Sequence, residues 1–317
     1  MNISVVIPTY NRKAKVCCAI DSVLAQTYSA NEVIVVDDGS TDGTFEEICA
    51  RYRDRIDVIR VKNSGAAAAR NVGIAKARSE WIALLDSDDV WLPQKLQVQI
   101  DILKRYSDTS RFCFSDCYFM GSETRYRSVY EQCGFVADLG GGILRDLRGK
   151  ILLGAEPFYT PSIIVSRGLI LEVGGFDANM LLGEDTDLFF RIGLHTEACY
   201  SSEALVAIDR TPNREIGLCN LYSSRDDRVY GSIRRMYEKW LAIPSIQGSE
   251  LERPIRRLLR DTLYSALASK ITQRRWSAAM AEARDLMAMD RGAVAVLGGL
   301  ILRKAKKLIR RNTGPVL

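Results

Sequence analysis

The chain has a single histidine, His195, among 317 residues. Ser-His-Asp or Cys-His catalysis would have to pass through that one imidazole. His195 sits near the end of a helical pattern, where a basic side chain favours the last carbonyls. A general base here is therefore expected to be a carboxylate. Long apolar runs are also missing: none reaches the roughly 18 residues that span a bilayer. Met1 leads straight into the strand-like Ile3–Ile7, with no basic n-region and no small-residue cleavage site. A secretory signal is not expected. The eight cysteines are scattered, several in apolar contexts where cysteine behaves as a small hydrophobe. Cys113 and Cys117 have no second ligand pair at zinc spacing, which argues against a zinc site. The first strand is not followed by G-x-G-x-x-G, which disfavours a dinucleotide oxidoreductase. Pro8–Lys13 contains no glycine, which disfavours a nucleotidyltransferase. No internal repeat or low-complexity linker is present.

What is there is ordinary in bulk, 47% hydrophobic and 26% charged, the composition of a globular protein. The net charge of +5 is uneven. Six of the 44 basic residues lie at Arg303, Lys304, Lys306, Lys307, Arg310 and Arg311, with no acidic residue from 300 onward. The rest of the chain, 38 basic against 39 acidic, is close to neutral. If any segment sets a polyanionic partner, it is this tail. From 293 to 311 the apolar residues face one way and the basic ones largely the other. That pattern suits an amphipathic helix lying in a membrane interface, and equally a terminal helix packed on its own domain.

Strand and helix patterns alternate along the first half of the chain. Ile3–Ile7 and Glu32–Val36 read as strands, as do Asp57–Val61 and Trp81–Leu85. Helical spacing runs from Lys13 to Gln26, up to Tyr52 and over Ala66–Ala77. Such alternation predicts βαβ units and a mostly parallel sheet flanked by helices. A helix from Pro93 to Tyr106 and a strand over Arg111–Met120 follow. Gly121–Gly154 reads as irregular loops, Pro161–Val165 as a strand, Asp187–Leu194 as a helix and Ala198–Asp209 as a strand. Past Asn220 the period is helical: Asp226–Leu241, Leu251–Lys270 and Arg275–Asp290. These patterns divide the chain into a domain over 1–215 and a helical region over 216–317.

The chemistry concentrates where the strands end. Trp81–Leu85 runs into Asp86-Ser-Asp88-Asp89 at a carboxyl end, where open α/β sheets bind ligands. Asp86 and Asp88 can lean toward one hard cation such as Mg²⁺ or Mn²⁺; alone, the pair is equally an acidic turn. Asp89 is placed as a cap for the next helix. Tyr10 can offer a ring face to a nucleobase, and Asp38 can accept a base N–H. Arg70, one turn into a helix that follows Gly65, suits a phosphate or a surface ion pair. Glu184-Asp185 lies about a hundred residues on, at what is also a plausible acidic helix start.

Pro8-Thr-Tyr-Asn11, Asp37-Asp-Gly-Ser-Thr-Asp42, Gly65…Arg70-Asn71, Asp86-Ser-Asp88, Trp91-x-Pro93-x-Lys95-Leu96 and Glu184-Asp185 together resemble the family 2 glycosyltransferases over residues 1–210. The resemblance implies a GT-A fold and an inverting hexosyltransferase-type enzyme. It implies a UDP-sugar site lined by Pro8, Thr9, Tyr10, Asp38, Arg70, Asp86 and Ser87, with uracil held at Tyr10 and Asp38. It implies a metal held by Asp88, with Asp86 near the ribose or the metal, and Asp185 as the general base, Glu184 orienting it or the acceptor. The processive Q-x-x-R-W signature is absent: Gln273-Arg-Arg-Trp276 has the wrong spacing. One sugar per catalytic event is expected, on a glycan or lipid-linked acceptor in surface polysaccharide synthesis. Peripheral contact with the inner face of the cell membrane is expected in an otherwise cytoplasmic protein, and no nucleic acid partner. A catalytically inactive scaffold that keeps the fold is the alternative, against which stands the joint presence of Asp86, Asp88 and Asp185.

Overall fold

The computed structural model describes residues 1–121, 126–210 and 227–289. Its chain contacts divide it into two units, Met1–Ile216 and Gly217–Leu317. In the first unit the strands are β1 (Ile3–Thr9), β2 (Glu32–Asp37), β3 (Asp57–Arg60), β4 (Trp81–Leu84), β5 (Val90–Trp91), β6 (Ser110–Met120), β7 (Gly142–Leu144), β8 (Ile164–Ser166) and β9 (Glu197–Asp209). The helices are α1 (Lys13–Leu24), α2 (Thr44–Tyr52), α3 (Ala66–Lys76), α4 (Lys95–Arg105), α5 (Val129–Cys133), α6 (Leu147–Leu152), α7 (Arg167–Glu172) and α8 (Glu184–Ile192). The sheet order is β3-β2-β1-β4-β8-β6-β9-β5, with β7 also on β9.

The mostly parallel expectation holds in a specific way. β1 pairs parallel with both β2 and β4, and β2 with β3. β6 runs parallel to β9. Short β8 lies antiparallel between β4 and β6, so β4 and β6 point the same way. The long strands therefore share one carboxyl end. β1, β2 and β4 are buried because helices cover both faces. Trp81 to Leu85 supply the apolar run, with Ile82, Ala83 and Leu84 fully enclosed.

Because β8 runs counter to its neighbours, its leading turn lies at the same end as their carboxyl ends. Here the sequence reading is corrected. Pro161-Ser162 is not strand but part of a 3₁₀ turn, Thr160–Ser162, and β8 begins at Ile164. Pro161 has no N–H for a ladder, and Ser162 turns its N–H and hydroxyl back onto the Tyr159 carbonyl. Pro8, read as the start of a loop, stays inside β1 opposite Val36 near its end, where a proline is tolerated.

Gly121–Gly154 also holds more order than its glycines suggested: α5, β7 and α6 lie within it. Gly141 and Gly142 serve close approach instead. A Cβ on Gly141, whose φ is +89°, would sit 2.1 Å from the Tyr200 carbonyl oxygen. Helix α8 starts at Glu184, earlier than the expected Asp187, because Gly183 at φ 78° makes the entry turn.

Among the described residues, the second unit contributes three helices, Asp227–Leu241, Glu252–Thr272 and Trp276–Met289. Leu259, Leu263 and Leu267 pack with Ala279 and Leu286. No helix among the described residues is long and apolar enough to cross a membrane. The basic segment 293–311 lies outside the described residues.

Two predictions follow from the packing. Gly73 in α3 lies against β1 so closely that a Cβ would meet Val6 Cγ1 at 2.4 Å. Gly73→Ala should cost about 1–3 kcal/mol in urea unfolding, because overpacking outweighs the gain in helix propensity. Lys95 is fully enclosed, and burial pushes its ammonium down to about 7. The unfolded chain holds that proton up to about 10.4. Between these values the unfolded state binds more protons, so stability should rise with pH by up to about 1.4 kcal/mol per unit and be flat below pH 7. Lys95→Met should lose that slope in thermal melts; an unchanged slope would contradict the assignment.

Candidate active site

The site forms where the chain leaves β1 toward β2 on one side and β4 on the other, the crevice at a topological switch point. Thr9 closes β1 opposite Asp37, and the Thr9 carbonyl accepts from the Asp38 N–H at 2.8 Å. Asn11 adopts φ 50°. Its N–H donates to Ser40 Oγ, and its Oδ1 accepts from the Thr41 N–H at 2.8 Å. These bonds tie the loop after β1 to the loop after β2. Tyr10, between them, is 47% exposed, so its ring is presented rather than packed.

Asp38 is buried and does more than the sequence suggested. Oδ1 accepts from the Ser64 N–H and Oδ2 from the Gly65 N–H, both at 2.8 Å. It thereby fixes the turn into α3, leaving one lone pair on each oxygen for a further donor. Asp37, fully enclosed, accepts from the Ser40 N–H and faces Arg60 Nε at 3.4 Å.

Arg70 is neither a surface ion pair nor an open phosphate clamp. It is buried, with Nη2 donating to Asp86 Oδ1 at 2.7 Å and Nη1 to Glu184 Oε1 at 3.1 Å. Its guanidinium lies 5.3 Å from the Phe176 ring centroid. The neighbouring Asn71 holds Phe176 by both backbone groups: Nδ2 donates to the Phe176 carbonyl at 2.8 Å and Oδ1 accepts its N–H at 2.9 Å. Burial opposes the Arg70 charge, but Asp86, Glu184 and then Asp185 overcome it and hold the pKa above the ordinary value. Two acidic motifs a hundred residues apart are thus brought to one cation.

Near that cation Asp88, Asp89, Glu156 and Glu184 are pushed up. Burial, then the charge of Asp86, raises Asp88, against the pull of Arg12, whose Nη2 lies 3.8 Å from Asp88 Oδ2. Asp89 reaches about 8 through burial and then Asp86 and Asp88. Asp89 does not cap α4; its Oδ1 accepts from the Asp209 N–H at 3.1 Å, because the β5 turn sends it back against β9. Glu184 is raised by burial and then by Asp185, with Arg70 opposing. Asp185 is half-buried at the first turn of α8. Its Oδ1 accepts from the Thr186 N–H at 2.7 Å, and its Oδ2 accepts from Thr160 Oγ1 at 3.4 Å. Glu156, which the sequence reading passed over, is raised by burial and then by Asp185. Its Oε2 is buried with no hydrogen-bond partner. Asp187 is enclosed and pairs with Arg191 at 2.6 Å, and Arg191 in turn donates to the Gly175 carbonyl.

Among the described residues, no group of three or more His, Cys, Asp or Glu side chains gathers to hold a metal. Asp86 and Asp88 are the carboxylates that would hold a hard cation: burial and the charge of Asp86 raise Asp88, while Arg70 already holds one Asp86 oxygen and Arg12 lies 3.8 Å from Asp88 Oδ2. The remaining coordination would come from phosphate and water. Cys113, Cys117 and Cys199 are buried free thiols in the core.

Comparison with known proteins agrees with the resemblance. Residues 4–160 match the family described as Glycosyl transferase family 2. The succinoglycan biosynthesis protein ExoW of Rhizobium meliloti is 30% identical over 272 residues, 80% of each chain. An uncharacterized glycosyltransferase of Rickettsia felis is 33% identical over 192 residues, 60% of this chain; the chain spans about 30% of that relative's length. In fold, the chain resembles S. aureus TarS 1-349 in complex with UDP-GlcNAc (TM-score 0.69, 19% identity, 93% of this chain and 83% of that one). It also resembles the mannosyltransferase PcManGT of Pyrobaculum calidifontis in complex with GDP-Man and Mn²⁺ (TM-score 0.55, 19% identity, 98% and 83%).

Arg70→Met should destabilise the fold by about 3–5 kcal/mol, because it leaves a buried carboxylate without its partner. With the cation gone, Glu184 is held above its unfolded pKa, so the folded state binds the extra proton. The loss in urea unfolding should therefore be larger at pH 8 than at pH 5. An equal loss at both pH values would contradict the clamp.

Proposed function

The chain belongs to the family 2 glycosyltransferases, and on that premise we propose that it moves one sugar from a UDP-sugar to a hydroxyl of a glycan or lipid-linked acceptor in surface polysaccharide synthesis, with inversion. The observation that carries this reading is the pair of hydrogen bonds from Arg70 to Asp86 and Glu184. They support it by bringing the loop that carries Asp86 and the Glu184-Asp185 motif to one cation.

Tyr10 and Asp38 take the base, with Pro8 and Thr9 shaping the floor beneath it. Ser87 and Asp86 meet the ribose side, and Asp86 with Asp88 holds Mg²⁺ or Mn²⁺. That cation, when bound, offsets the charge growing on the departing diphosphate. Asp185 takes the proton of the acceptor hydroxyl as that oxygen attacks the anomeric carbon. Its half-exposed carboxylate is open to an acceptor, whereas Glu184 is turned inward to Arg70. Glu184 therefore orients the first turn of α8 and not the substrate directly. One base and one displacement lead to inversion, by the logic that governs inverting hydrolases. The basic residues at 303–311 are the part we assign to peripheral contact with an anionic membrane surface.

Calorimetric titration with UDP, GDP, CDP and dTDP, each with and without Mn²⁺, tests the donor. Metal-dependent binding of UDP is expected; failure of folded protein to bind any diphosphate would favour a scaffold. Asp185→Asn should keep UDP binding and lose on the order of a hundredfold or more in turnover.

A further inference from the structure

Lys95 lies in the core of the first unit with its side chain wholly enclosed. Among the described residues it makes no ion pair with a carboxylate. Its Nζ donates to Gln99 Oε1 at 2.6 Å and lies 4.0 Å from the Trp91 ring centroid. An ammonium taken out of water without a counter-charge is a cost to folding, even with some return from the ring face. A methionine would fill the same space without that cost. Packing alone gives no reason for a lysine here.

Hydrogen-bond polarity does. Lys95 Nζ donates to the Gln99 amide, which therefore turns its oxygen toward Lys95. Its NH₂ is then forced to the other side, where Nε2 donates to the Ser162 carbonyl at 2.8 Å. A flipped amide would set oxygen against oxygen. One step back, the Pro161 carbonyl accepts from Trp91 Nε1 at 2.8 Å. Two consecutive carbonyls of the Thr160–Ser162 turn are thus held by side chains of the Trp91-x-x-x-Lys95-x-x-x-Gln99 spacing. The turn's first residue is Thr160, whose hydroxyl meets Asp185 Oδ2. The other Asp185 oxygen is fixed by the backbone of its own helix, so the turn supplies the external support.

We propose that Lys95 is a positioning residue for Asp185: it locks the orientation of the Gln99 amide, which with Trp91 holds the Thr160–Ser162 turn against the base. The assignment of Asp185 as base is the reading of the preceding subsection. The coupling of Lys95 to the turn stands on the hydrogen bonds alone.

The experiment uses the full chain and two readouts. The first is hydrogen exchange of the peptide spanning 158–166. It should quicken about tenfold or more in Lys95→Met, with peptides of β1 and β2 unchanged and the melting temperature equal or higher. The second is release of UDP by hydrolysis of UDP-GlcNAc, UDP-glucose or UDP-galactose. Lys95→Met should lower kcat on the order of tenfold to a hundredfold with KM for the sugar nucleotide unchanged. Thr160→Val should do the same, and the double variant should lose no more than either single one. Trp91→Phe, which removes the indole N–H, is the second route to the turn should Lys95→Met not fold. Unchanged exchange at 158–166 overturns the proposal. So do losses that multiply in the double variant, or a KM and melting temperature that worsen together with kcat. If the wild-type protein hydrolyses no UDP-sugar, the functional reading fails, and the exchange readout alone decides whether Lys95 holds the turn.

Discussion

The Arg70 guanidinium is the constraint on which the site depends. It is buried between Asp86 and Glu184, and its charge opposes the burial that raises Glu184. A buried pair is a poor source of net stability. What it does provide is registry: the loop after β4 and the first turn of α8 cannot drift apart without exposing an unpaired charge. Asn71 adds to this by gripping Phe176, so consecutive residues of α3 set both the acidic loops and the turn that precedes α8.

The sheet makes this arrangement reachable. β1 has parallel neighbours on both sides, so the loops after β1, β2 and β4 open at one end. Short β8 runs against them and delivers its leading turn to the same end. Asp38 and Asp86 therefore come from strand ends, and Thr160 and Asp185 from the turn before a counter-running strand and from a helix start. Function in this fold lives in these grafted loops and not in the sheet itself.

Much of the fold was legible because apolar runs ended in turn chemistry at regular spacing. Ile3–Ile7, Glu32–Val36 and Trp81–Leu85 read as strands on that signal, and the structure pairs all three. The reading failed where tertiary contact overrode local pattern. Pro161-Ser162 looked like strand because Ile163–Val165 follows, but Ser162 bonds back to Tyr159. Gly141-Gly142 looked like slack loop, yet a Cβ on either would run into Tyr200. In the site, the residue types and their order were readable, and Arg70, Asp86 and Glu184 do meet. Their pairing was not readable, since it depends on two segments a hundred residues apart. Lys95 was visible as part of a motif, but its burial and its hold on Gln99 follow from packing across α4, β6 and the 160–162 turn. Glu156 carried no sequence signal at all.

The proposed reaction needs one base and one displacement. The most direct test is the anomeric configuration of the product formed from an α-linked UDP-sugar, read from its proton coupling constant by NMR. The β-linked product is expected. Retention of the α configuration would require two displacements and would contradict Asp185 as the sole base.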